Sequence, residues 1–66
     1  MIEQKYNVKI KNEYIIVGNI YFDMFIKEVN EKLNNGWNLQ GGISVSNKRY
    51  YQAMIRSEEE FEEIKI

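Results

Sequence analysis

The sequence contains no cysteine, no histidine and only one aspartate, Asp23. Without cysteine there is no disulfide framework and no thiol nucleophile, and without either residue zinc and copper lose their preferred ligands. Ser44, Ser46 and Ser57 have no imidazole to activate them. The glutamates near the C-terminus form a run, which suits solvated helix caps better than an acid and a base spaced across a cleft. No run approaches the roughly 20 apolar residues that span a bilayer, and the opening MIEQKYNVKI lacks the continuous apolar core of a signal peptide. These absences predict a cytoplasmic, non-enzymatic protein with no cofactor, no metal and no membrane partner.

What is present is short. Sixty-six residues make one domain, 1–66, and a chain of this size buries a small share of its unfolded surface. With disulfides and metals excluded, association with another chain is the leading support. Net charge is near neutral but unevenly placed. Residues 1–56 hold eight Lys or Arg against five acids, and residues 57–66 hold five Glu against Lys65. A mildly basic body fits a small anionic ligand better than duplex DNA, which calls for a stripe of phosphate-neutralising side chains. Lys48 and Arg49 are the only adjacent basic pair.

Along the chain, Tyr6, Val8 and Ile10 alternate with polar residues, and Tyr14–Val17 is a β-rich run, with Lys11-Asn12-Glu13 as the bend between them. A hairpin and one long bulged strand both fit, and the hairpin is preferred. Asn19 suits an N-cap for a helix reaching Asn34 or Asn35. Phe22, Ile26, Val29 and Leu33 share one helical face, Phe25 and Tyr21 widen it, and Gly36 supplies a left-handed stop. Next, Trp37, Leu39, Gly41, Ile43 and Val45 occupy the helix-facing side of a strand. Ser46-Asn47-Lys48-Arg49 makes a turn. The return strand is read with Tyr51, Ala53 and Ile55 towards the helix, small Ala53 lying beneath it, and Tyr50, Gln52 and Met54 beside Gln40, Gly42 and Ser44 on the outer face. Residues 57–66 begin with Ser57 and Glu60 at capping-box spacing and read as a short helix or an acidic tail. The fold class is α+β: one helix on a small antiparallel sheet in the order β-β-α-β-β, oligomeric through the outer sheet face.

The candidate site lies on that face. Gln40-Gly41-Gly42 follows a helix and lacks both G-x-G-x-x-G and GK[ST], so it reads as a bulge, or as a place where a ligand approaches the backbone closely. Tyr50 is placed to stack on an aromatic ring while the carboxamides of Gln40 and Gln52, each both donor and acceptor, read its edge. Lys48 and Arg49 neutralise phosphate, and Trp37 is either a packing anchor at the helix end or a reserve stacking residue.

The segment VNEKLNNGWNLQGGISVS, followed by YYQAMI, resembles a small domain-of-unknown-function family of bacteria and their phages, marked by GW-x-LQGG and a closing YYQAM strand. The likeness runs from about Val29 to Ile55. In size and build the chain is also similar to small phage proteins that sequester cyclic nucleotide immune signals of the host. That resemblance implies an anti-defence protein of the host cytoplasm, holding a nucleotide such as a cyclic dinucleotide at the interfaces of a dimer or tetramer. The alternative is an interaction module that covers a host protein with its aromatic sheet face.

Overall fold

The computed structural model describes residues 6–63. Strand β1 (Tyr6–Asn19) leads into helix α1 (Phe22–Asn34), followed by β2 (Asn38–Ser46) and β3 (Arg49–Glu63). The sheet is antiparallel with β3 in the centre, in the order β1-β3-β2, and α1 lies on one face. The class is α+β, as expected, but the sheet has three strands rather than four.

The missing strand is accounted for by β1. Its register against β3 runs without interruption from Tyr6↔Glu63 to Asn19↔Tyr50, so Lys11-Asn12-Glu13 is neither a bend nor a bulge. The same pairing overrides the capping-box signal at Ser57. Glu58 and Glu60 stand opposite Lys11 and Lys9, Glu13 stands opposite Arg56, and Ser57 donates a 2.6 Å hydrogen bond to Asn12. Opposite charges across paired strands favour the ladder over an isolated helix of one or two turns, whose nucleation is costly. Residues 57–63 are therefore strand; the rest of the expected tail helix, 64–66, lies outside the described residues.

The helix begins later than its expected cap. Asn19 accepts a hydrogen bond from the Tyr21 amide at 2.9 Å and donates to Glu28 at 3.1 Å, a turn that ends β1 before α1 starts at Phe22. At the other end Gly36 adopts φ +88°, its amide bonds Leu33 O at 3.2 Å, and the Trp37 amide bonds Lys32 O at 3.0 Å. This is the Schellman stop that the glycine predicts. Phe25 and Val29 are buried with Ile26 beside them, while Phe22 and Leu33 sit at the margins of the stripe.

The core comprises Val17, Phe25, Val29, Trp37 and Met54, with Ile15, Ile26 and Tyr50 packed against it. Tyr50 and Met54 thus face the helix, not the outer side. Asn47 (φ 48°) and Lys48 (φ 62°) form a two-residue turn that pairs Ser46 with Arg49 and Val45 with Tyr50. Directly paired residues share a face, so Tyr50, Gln52 and Met54 follow Val45 and Leu39 towards α1, and Tyr51, Ala53 and Ile55 are turned outwards. The size argument that put Ala53 under the helix loses to register.

Past Asn38↔Ile55 the sheet has no third strand. Residues 6–13 and 56–63 continue as a two-stranded arm, and the molecule measures 59 × 19 × 16 Å.

Candidate functional site

Register divides the expected site residues between the two faces. On the helix side, Gln52 is 3% exposed, and its Nε2 donates towards Ala53 O at 2.8 Å, Gly41 O at 3.1 Å and Gln40 O at 3.4 Å. The carboxamide holds a distorted stretch of β2 in place and is not free to read a ligand edge. Tyr50 packs edge-on to Phe22, with ring centroids 5.2 Å apart, and tilted against Phe25 at 5.8 Å. Trp37 is buried, and the Arg56 guanidinium lies 4.5 Å from its ring centroid. Arg56 also donates to Asn35 O at 3.3 Å and pairs with Glu13 at 3.1 Å, so the Trp–Arg stack pins the helix end to β1 and β3. Trp37 is the packing anchor. The surface expected from Tyr50 and Gln52 beside Gln40 is therefore not assembled on an open face.

The glycine pair sits in the distortion it was expected to mark. Between Gln40↔Ala53 and Ser44↔Tyr51 the register shifts, leaving residues 41–43 opposite Gln52 alone. Gly41 has φ +74°, a conformation a Cβ would strain, and a Cβ at Gly42 would meet no atom within 4 Å. Two extra residues preserve the alternation of faces on either side, so Gln40, Ser44 and Ser46 remain on the side away from α1.

That outer side carries a different set of residues. A hollow of about 390 Å³ is lined by Ile16, Gly42, Ser44, Tyr51 and Ala53. The Tyr51 ring lies against Gly18, directly opposite in β1, where a Cβ would come within 3.0 Å of two ring carbons. Glycine there leaves room for the ring to lie down on the sheet as a platform. Arg49 is two residues from Tyr51 and on the same side by alternation, Lys48 is next to it in the turn, and Gln40 is exposed on β2. Of the expected residues, Gln40, Gly42 and Arg49 stay together on the outer face, with Lys48 adjoining in the turn. Tyr51 and Ser44 join them, and Trp37, Tyr50 and Gln52 leave. Gly42 also borders a second cleft, of about 340 Å³, between α1 and the bulge, with Leu33, Leu39 and Ile43 on its walls.

Among the described residues no group of three or more acidic side chains could hold a metal, and no helix is long and apolar enough to cross a membrane. No family model, curated protein or solved structure matches the chain.

Proposed function

We propose that the protein is a non-enzymatic binding protein that holds a small, planar, anionic ligand of nucleotide type in the hollow on its outer sheet face. The observation that carries this is the co-facing set around the hollow: a Tyr51 ring laid on Gly18, a Gly42 with open space where a side chain would be, the Ser44 hydroxyl, and the Arg49 cation on the same side. Tyr51 supplies the stacking surface, Gly42 admits the ligand to the backbone, Ser44 and the Gln40 amide meet polar edges, and Arg49 with Lys48 meets phosphate. Neither a general base nor an activated nucleophile borders the hollow, which favours retention over turnover. The resemblance in scale to small phage proteins that sequester cyclic nucleotides motivates the choice of ligand class, and the hollow offers a chemistry for it.

The test is calorimetric titration with a cyclic dinucleotide, a nucleoside monophosphate and the uncharged nucleoside. Stacking of a base on an aromatic ring contributes about 1–3 kcal/mol, so Tyr51→Ala should weaken the phosphate-bearing probes about 5- to 150-fold with the fold intact by circular dichroism. Arg49→Gln should weaken the charged probes and leave the nucleoside unchanged. Absence of heat and of ligand mass in native mass spectrometry with every probe at millimolar concentration would refute the proposal.

A further inference from the structure

We infer that the outer sheet face is covered by a second copy of this chain, packed face to face about a two-fold axis with the strands antiparallel. The inference does not rest on the ligand reading and competes with it. A second copy packed on this face engages Ile16 and Ala53 of the hollow and Arg49 beside it, so ligand entry requires the two copies to part. Val8, Ile10, Tyr14, Ile16 and Phe61 are between 52% and 67% exposed, and alternation places all of them, with Ile55, on the side away from α1. The arm shows which of its sides is meant to be wet. Lys9, Lys11, Glu13, Arg56, Glu58 and Glu60 lie together on the helix side, paired across the strands, while Val8, Ile10 and Phe61 continue the apolar face of the sheet. A two-stranded ribbon with one apolar side has little stability alone, and nothing in the described chain covers this one.

Size and charge select the occupant. Two strands 14 and 15 residues long and a third of nine, at about 3.4 Å per residue and about 4.8 Å between strands, give a face of about 600 Å². Two such faces bury about 1,200 Å² together, the lower end of what a stable specific interface needs. Between Arg49 and Phe61 the outer row of β3 carries two charged residues, Arg49 and Glu59, and the outer row of β1 from Val8 to Gly18 carries none. Both are on β3 and exposed, and neither makes an ion pair with a described residue. They are equidistant from Met54. A two-fold axis crossing β3 at that point, in the plane between the sheets, reverses the strand and sets Arg49 of each copy against Glu59 of the other. The same operation puts Ala53, the smallest side chain of the outer row of β3, beside the axis with Ile16 and Tyr14, where close approach of two sheets needs it. The face is thus complementary to itself in charge and in shape.

Sedimentation equilibrium of the intact chain and four variants tests this. The wild type should be a dimer at micromolar concentration. Ile16→Lys should be monomeric across the concentration range, while Met24→Lys, which removes another exposed apolar side chain, from α1, should remain a dimer. Arg49→Glu should raise the dimer dissociation constant at least about tenfold, because it sets like charges against each other at both ends of the interface, and Arg49→Glu with Glu59→Arg should restore it. Circular dichroism of each variant separates dissociation from unfolding, and the Arg49 and Glu59 changes lie outside the core. A wild type that stays monomeric at 100 µM overturns the inference. So does a dimer that tolerates Ile16→Lys, or an Arg49→Glu defect that Glu59→Arg deepens. Stable one-to-one capture of a different protein by a wild-type monomer would assign the face to a foreign partner instead.

Discussion

Gln52 offers the sharpest test of how the bulge is held. Its side chain has two amide protons, and three carbonyl oxygens lie within 3.4 Å of Nε2, so two well-formed bonds are made and the third is shared. The carbonyls of Gln40 and Gly41 belong to the stretch where β2 departs from its register, so the side chain supplies bonds that a regular ladder would draw from backbone amides. At about 1 kcal/mol net per bond, Gln52→Leu should cost roughly 2 kcal/mol, somewhat less where the added apolar contact offsets the loss. Gln52→Glu is nearly isosteric and should cost more, about 3 kcal/mol or above at pH 7, because a buried carboxylate would face the three carbonyl oxygens that the amide now meets. For a chain of 66 residues the whole stability is on the order of 3–10 kcal/mol, so this single atom exchange should remove about a third of it or more.

The pH dependence separates the two effects. Burial raises the folded-state pKa of the introduced glutamate above its unfolded value of about 4.3, so the folded form takes up the proton first. The penalty is then complete above the folded pKa and relieved as the pH falls through it, since a protonated carboxyl again donates one hydrogen bond. Urea denaturation followed by fluorescence of Trp37, the only tryptophan, at one fixed protein concentration reads both variants, with Gln52→Leu as the non-titrating control. A glutamate variant as stable as the wild type at pH 7, or one whose deficit relative to Gln52→Leu does not shrink on acidification, would show that Gln52 does not hold the bulge.

The two bulge glycines should respond differently to the same change: Gly41→Ala introduces a Cβ at φ +74° and should cost about 1 kcal/mol, whereas Gly42→Ala meets open space and should leave urea midpoints within error. Equal effects at both positions would contradict the bulge geometry. Arg56→Lys keeps the charge but loses the planar group over Trp37 and the fork that reaches Asn35 O and Glu13 together, and should cost about 1–2 kcal/mol with a change in Trp37 emission. An unchanged spectrum and midpoint would remove the stack from the account.

Local signals were legible where local physics decides the outcome. The Gly36 stop, the burial of Val29, the helix-facing side of Trp37 and Leu39, and the distortion at Gly41-Gly42 all follow from periodicity or from glycine's backbone freedom. What misled were segments whose local preference is outweighed by a distant partner. Lys11-Asn12-Glu13 reads as a bend and Ser57–Glu60 as a capping box, yet each is held extended by the other across more than 40 residues of sequence. The site suffered from the shortest error available in a strand, one position. Tyr50 and Tyr51 are adjacent, and the even-numbered turn at Asn47-Lys48 sends the first ring to the core and the second to the open face. Amphipathic alternation cannot settle such a choice when both rows of a strand are apolar.

That double apolarity carries its own implication for assembly. A strand with one wet face alternates apolar with polar, and β1 does so through its arm, where Val8 and Ile10 alternate with Lys9 and Lys11. The middle of β3 does not: Tyr50 and Met54 fill one row, and Tyr51, Ala53 and Ile55 fill the other, with Gln52 as the sole polar side chain and that one buried. Such a run belongs to a strand covered on both sides. The helix supplies one cover, and among the described residues the core it makes has five buried apolar side chains. On the inference drawn above the other cover is a second copy, which adds to so small a core whenever it is bound. A second copy is present wherever the protein itself accumulates, whereas a transient partner or a ligand of one ring's size is not. Stability and self-association should therefore be linked: the urea midpoint of the wild type should rise with protein concentration, and that of Ile16→Lys should not.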